Sequence, residues 1–125
     1  MWRHFNPNPR GRKTGDCSVR ALAAVENMSW YQAYDELCRY GRNMCEMPNA
    51  NTVIAAFLKD RGYKRRIVED TCPNCYTVRD FCRDHPHGTY VLGTGSHVVA
   101  VISSDWWDAW DSAPETIIYY WEATK

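Results

Sequence analysis

The feature that most limits the fold is a change of period along the chain. Up to about His85 the apolar residues recur at helical spacing, and from Thr89 onward they come in short strand-like runs. Four helices are expected. The first covers 16–25, across Cys17-Ser18-Val19-Arg20-Ala21-Leu22-Ala23-Ala24-Val25. The second starts at Ser29, whose spacing to Gln32 is that of a capping box, and ends at Gly41. Trp30, Tyr34, Leu37 and Cys38 share its inner face. The third starts near Asn49 or Asn51, turns Ile54, Phe57 and Leu58 inward and places Gly62 at C′. Thr77 and Asp80 cap the fourth, Val78, Phe81, Cys82 and His85 make its inner face, and Pro86-His87-Gly88 stops it. Residues 89–92, 97–102, 106–111 and 116–121 read as a four-stranded meander, with 64–68 as a further short strand. The first fifteen residues, through Asn6-Pro7-Asn8-Pro9-Arg10-Gly11, read as an extended loop, because a residue before Pro avoids the helical region. Helices first and an antiparallel sheet afterwards give an α+β fold, N-terminal helices packed on a C-terminal sheet, in one domain over 1–125.

The formal net charge is zero, which argues against a nucleic-acid partner held through a basic face. The clusters Arg10, Arg12, Lys13 and Lys64, Arg65, Arg66 read as solvated charges. No stretch is long and apolar enough to suggest a membrane partner, and Met1-Trp2-Arg3-His4-Phe5-Asn6 has no apolar signal region. The expectation is therefore a cytoplasmic protein whose six cysteines are reduced. Trp106, Trp107, Trp110, Tyr119, Tyr120 and Trp121 read as core and cross-strand packing.

Cys17 stands out chemically. It follows Gly15-Asp16 at the start of a helix, where unpaired N–H groups and the helix dipole stabilise a thiolate. His97 follows the flexible Gly93-Thr94-Gly95-Ser96 and opens the strand Val98-Val99-Ala100-Val101-Ile102. An imidazole there is placed to share the thiol proton, and a third polar group is needed to hold its tautomer. Asp108 and Asp111 are the two acids in reach. A two-residue turn at Ser103-Ser104 pairs Ile102 with Asp105 and puts Asp108 on the face of His97. A three-residue turn selects Asp111 instead. Two-residue turns prefer Gly or Asn, so register leaves both open.

In order and element type, Gly15-Asp16-Cys17-Ser18-Val19-Arg20-Ala21, Gly95-Ser96-His97-Val98-Val99-Ala100-Val101 and Asp108-Ala109-Trp110-Asp111-Ser112 together resemble the papain-like cysteine peptidase superfamily in its compact bacterial and phage, bacteriocin-processing-like form. The whole chain is also similar to small uncharacterised phage and Firmicutes proteins, through Asn6-Pro7-Asn8-Pro9, the Gly-Asp-Cys element, Thr71-Cys72-Pro73-Asn74-Cys75-Tyr76 and the Trp-Asp-Ser element. The superfamily resemblance implies Cys17 as nucleophile and His97 as base. It favours Asp108 over Asp111, because Asp108-Ala109-Trp110 is similar to the family's Asn-Ser-Trp. The chain departs from the family in having no Gln upstream of the cysteine; its only Gln is Gln32. Asn8, with Asn6 as the alternative, is the substitute oxyanion donor, against a plain turn-forming role for both. The implied activity is hydrolysis of a peptide or isopeptide bond in a protein or peptide substrate, through a thioester and without a required cofactor. The competing readings are a non-catalytic binding module on the same scaffold, engaging a host factor, and a Cys–His–Asp acyltransferase.

Cys72-Pro73-Asn74-Cys75, followed by Cys82 and His85, has the donor count of a structural zinc site. Burial of Cys82 on the helix face with Phe81 competes with that reading, as does a redox dithiol at Cys72 and Cys75. Cys38 and Cys45 read as structural, and His4 and His87 as solvated loop residues.

Overall fold

The computed structural model describes residues 1–124. Its elements are β1 (Trp2–His4), α1 (Cys17–Val25), α2 (Trp30–Met44), α3 (Asn51–Asp60), β2 (Tyr63–Ile67), α4 (Val78–Asp84), β3 (Thr89–Gly93), β4 (Val98–Ile102), β5 (Asp105–Asp108) and β6 (Tyr119–Ala123). The fold is α+β, with four helices and a six-stranded mixed sheet in the order β1-β5-β4-β3-β6-β2.

Helix boundaries follow local chemistry. Ser29 and Gln32 form the capping box of α2, and Thr77 and Asp80 that of α4, each closing two otherwise unpaired N–H groups. Gly62, at φ 88°, lets the chain leave α3 in the left-handed region and enter β2. Gly41 does not end α2. The helix continues to Met44 and stops at Cys45, which takes φ 54°. Gly41 instead lies where the returning chain crosses the helix, and a Cβ there would meet the Glu46 carbonyl oxygen at 2.8 Å.

The strands differ from a simple meander in two ways. β3, β4 and β5 are consecutive hairpin partners, but β6 crosses over to pair with β3 rather than β5. The connecting segment is held at the start of α4, with the Ile117 N–H donating to Tyr76 and the Val78 N–H donating to Glu115. β2 then pairs outside β6. The N-terminus, expected as loop, supplies β1, which lies parallel to β5 with Trp2 opposite Trp106 and His4 opposite Asp108. His4 is therefore a strand residue. β1 satisfies the open edge of β5, an edge that would otherwise leave backbone groups unpaired.

Side chains alternate across this sheet. Val91, Val98, Ala100, Tyr119 and Trp121 face α1, α2 and α3 and join Leu22, Leu37, Phe57 and Leu58 in one core. Leu92, Val99 and Val101 face the other way, onto Val78, Phe81 and Cys82 of α4 and onto Ile117. α4 thus covers the face opposite the first three helices. α1 presents Ala21, Leu22 and Ala23, all buried, so its backbone can lie close to β4. That close packing brings the start of α1 to the start of β4. No described helix is long and apolar enough to cross a membrane.

Candidate active site

The site forms where the N-terminus of α1 meets the ends of β4 and β5. α1 starts at Cys17 because the Arg20 N–H makes the first helical bond to the Asp16 carbonyl. His97 sits one residue before β4, and its carbonyl oxygen accepts from the Thr94 N–H at 2.9 Å. Ser103 and Ser104 take φ 50° and 74°, so a two-residue turn pairs Ile102 with Asp105. Serines thus fill a turn that usually takes Gly or Asn, and β5 ends on Asp108.

Asp108, not Asp111, meets the histidine. His97 Nε2 lies 2.6 Å from Asp108 Oδ2, and the Asp108 side chain is 1 % exposed. With Nε2 engaged by Asp108, Nδ1 is the ring nitrogen left for the Cys17 thiol, which lines the same cavity as His97. Asp111 turns away and accepts from Trp106 Nε1 at 2.9 Å and from the Ala113 N–H at 3.1 Å. The Trp110 ring lies tilted against the imidazole, with centroids 4.8 Å apart.

The charges follow from these contacts. Burial disfavours the Cys17 thiolate, but the His97 hydrogen bond, the Val98 N–H and the positive charges of His97 and Arg20 outweigh it and lower its pKa. Burial also disfavours the imidazolium, yet the bonds to Asp108 and Cys17 raise His97 to about 9. Burial works against ionised Asp108 too, and its bond to His97 prevails, so its pKa is lowered. Both shifts favour the thiolate and imidazolium forms of the pair. Cys82 shows the contrast: with no such partner, burial pushes it up to about 11.

Asp108 has a second buried partner. Arg20 donates through Nη2 to Asp108 Oδ1 at 3.0 Å and through Nη1 to Asp16 Oδ1. Trp30 Nε1 donates to the other Asp16 oxygen at 2.9 Å. The carbonyl oxygen of Asp108 accepts from Trp2 Nε1 and from the Phe5 N–H, so β1 helps to hold the acid in place. Sequence reasoning missed this network. Its one signal was the i, i+4 spacing of Asp16 and Arg20.

A cavity of 280 Å³ opens over Cys17 and His97, with Asn49, Asn51, Ser96 and Trp110 around it. Asn6 and Asn8 do not line it. Asn6 Oδ1 accepts from the Asn8 N–H, and Asn8 Oδ1 accepts from the Arg10 N–H, so both serve the N-terminal turns. The amides that the fold does bring to the thiol are Asn49 and Asn51, from the segment entering α3. Nothing in their sequence context marks them. A larger cavity of 350 Å³ adjoins the first, sharing Thr14, Gly15, Ser18 and Asn49 with it, and is walled by Val19, Trp30, Tyr34, Leu37, Met47 and Pro48.

The zinc set is not assembled. Cys72 and Cys75 are joined in a disulfide, with Cα atoms 4.1 Å apart, which also corrects the expectation of six reduced thiols. Cys82 is buried in the α4 core, and His85 stacks on Phe81 with its Nδ1 2.9 Å from the Phe81 carbonyl oxygen. No group of three or more His, Cys, Asp or Glu side chains that could hold a metal occurs among the described residues.

The arrangement can supply a thiolate nucleophile, a proton on an oriented imidazole, and helix N–H groups beside both. Comparison with protein-family models, with curated proteins and with solved structures finds no match to this chain.

Proposed function

We propose that this chain is a papain-like cysteine hydrolase that cleaves an amide bond, in a peptide or isopeptide, through a thioester. The observation that carries the reading is that Cys17 and His97 line one cavity while Asp108, buried behind them, holds the imidazole at 2.6 Å. The Cys17 thiolate attacks the carbonyl carbon, and its electron pair becomes the new C–S bond. The carbonyl oxygen takes up negative charge facing the Cys17 N–H and the side-chain amide of Asn49, which makes no other hydrogen bond among the described residues. The His97 proton passes to the leaving nitrogen as the C–N bond breaks. His97, now neutral, takes a proton from water, and the hydroxide equivalent releases the acid from the thioester. The adjoining apolar cavity favours a substrate with a bulky apolar side chain beside the scissile bond.

The test is site-resolved alkylation of the protein across pH, for wild type and His97→Ala. The reading requires Cys17 to react as a thiolate below pH 7 and to lose that reactivity in His97→Ala. A Cys17 that titrates like a free thiol near ~8.5 in both proteins would leave a non-catalytic binding module as the better account. Product analysis with an added amine separates hydrolysis from acyl transfer.

A further inference from the structure

Asp16 is the N-cap residue of α1, yet its side chain caps nothing. An aspartate there ordinarily accepts from the second or third helical N–H, which would set a full negative charge beside Cys17 and consume the donors at the helix start. Here both carboxylate oxygens are committed elsewhere, Oδ1 to Arg20 and Oδ2 to Trp30. Arg20 is 6 % exposed and spans from this carboxylate to that of Asp108, whose other oxygen holds His97. Only a guanidinium suits the position. Its planar fork reaches two carboxylates on different elements, whereas an ammonium is a single point charge.

We propose that Arg20 is the positioning residue of this site: it draws Asp16 off the start of α1, leaving the helix donors to Cys17, and fixes Asp108 so that its free oxygen faces His97. The inference rests on the catalytic reading above. It accounts for a buried arginine between two buried acids, an expensive arrangement unless each charge is paired. The ionisable groups that bear on Cys17 are Arg20 from its own helix, His97 from the start of β4 and Tyr119 from β6, with Asp16 and Asp108 held behind them by Arg20 and His97.

The experiment is alkylation of Cys17 by iodoacetamide across pH, with thermal melts as the control for folding. The proteins are wild type, Arg20→Lys, Arg20→Met and Arg20→Met combined with Asp16→Asn. Arg20→Lys keeps the charge but reaches one carboxylate, and the midpoint for thiolate formation should rise by about one pH unit, a tenfold loss of rate on the acid side. Arg20→Met should raise it further. Adding Asp16→Asn should restore most of the loss, because the released acid is what burdens the helix start. A residue that merely stabilised the fold would lower the melting temperature and leave the midpoint in place. A wild-type midpoint in folded Arg20→Lys, or a double variant that still titrates like Arg20→Met, overturns the proposal, and Arg20→Lys alone decides it if Arg20→Met does not fold. A wild-type Cys17 without His97-dependent reactivity below pH 7 overturns the catalytic reading and this inference together. The wild-type profile therefore separates the two failures.

Discussion

His97 Nε2 and Asp108 Oδ2 are 2.6 Å apart, joining the residue before β4 to the last residue of β5 at one end of the sheet. Two serines in a two-residue turn set that register, and β1 and Arg20 hold the acid from two further sides.

Hydrolysis should follow a bell-shaped pH profile. The acid limb marks loss of the Cys17 thiolate and lies below the ordinary thiol range. The alkaline limb marks deprotonation of His97 at about 9. The sign for stability is set by the same shifts. A raised histidine stabilises fully below its unfolded value of ~6.5, and that gain is lost as pH rises through about 9. Asp108, lowered, contributes above the ordinary carboxylate value and loses its part as pH falls through its folded value. Melting temperatures of wild type and His97→Ala should therefore differ most between these limits and converge outside them.

Asp108→Ala should cost ~3–5 kcal/mol, because it leaves Arg20 and His97 without their shared acid. Asp108→Asn should keep the shape but move the alkaline limb down by more than one pH unit, as the imidazolium loses its counter-charge. Asp111→Asn should leave the profile unchanged, since that carboxylate serves Trp106 and Ala113. Denaturant melts and alkylation profiles read both effects.

If Asn49 binds the oxyanion, Asn49→Ala should lower the turnover of an amide substrate by ~10²–10³ with the alkylation midpoint of Cys17 unmoved. Asn8→Ala should leave turnover at the wild-type level, because its side chain only closes a turn. Equal turnover in Asn49→Ala and wild type would remove Asn49 from the mechanism.

The apolar cavity beside Cys17 should select the substrate. Peptide reagents with a thiol-reactive carbonyl should label Cys17 at least ~10-fold faster with Leu or Phe than with Asp beside the reactive carbon, a discrimination in the range of one apolar group. Tyr34→Asp should erase the difference, measured as the rate ratio of the two reagents.

Gly93 faces the ring of Tyr119 across the β3–β6 pair, and a Cβ there would overlap that ring. Gly93→Ala should cost ~1–3 kcal/mol, read from denaturant melts. It should also move Tyr119, and with it Arg65, whose guanidinium lies 4.6 Å from the ring centroid.

What the sequence by itself determined is local. Helical period and capping pairs placed four helices, with Ser29–Gln32 and Thr77–Asp80 closing the boxes they spell out. The position of Cys17 at a helix start and of His97 before a strand was legible because each depends only on its immediate neighbours. What tertiary structure alone decided depends on distance across the chain. β1 is three exposed residues with no alternation to reveal it, and it forms because β5 has an open edge. β6 joins β3 through a crossover that no period encodes. Gly41 carries the mark of a helix end but serves a close crossing of backbone. Asp108 rather than Asp111 at His97, Asn49 rather than Asn8 in the lining of the Cys17 cavity, and the Arg20 bridge all rest on which side chains converge once α1 packs against β4. Convergence of that kind is set by packing between elements, which spacing along one element does not carry.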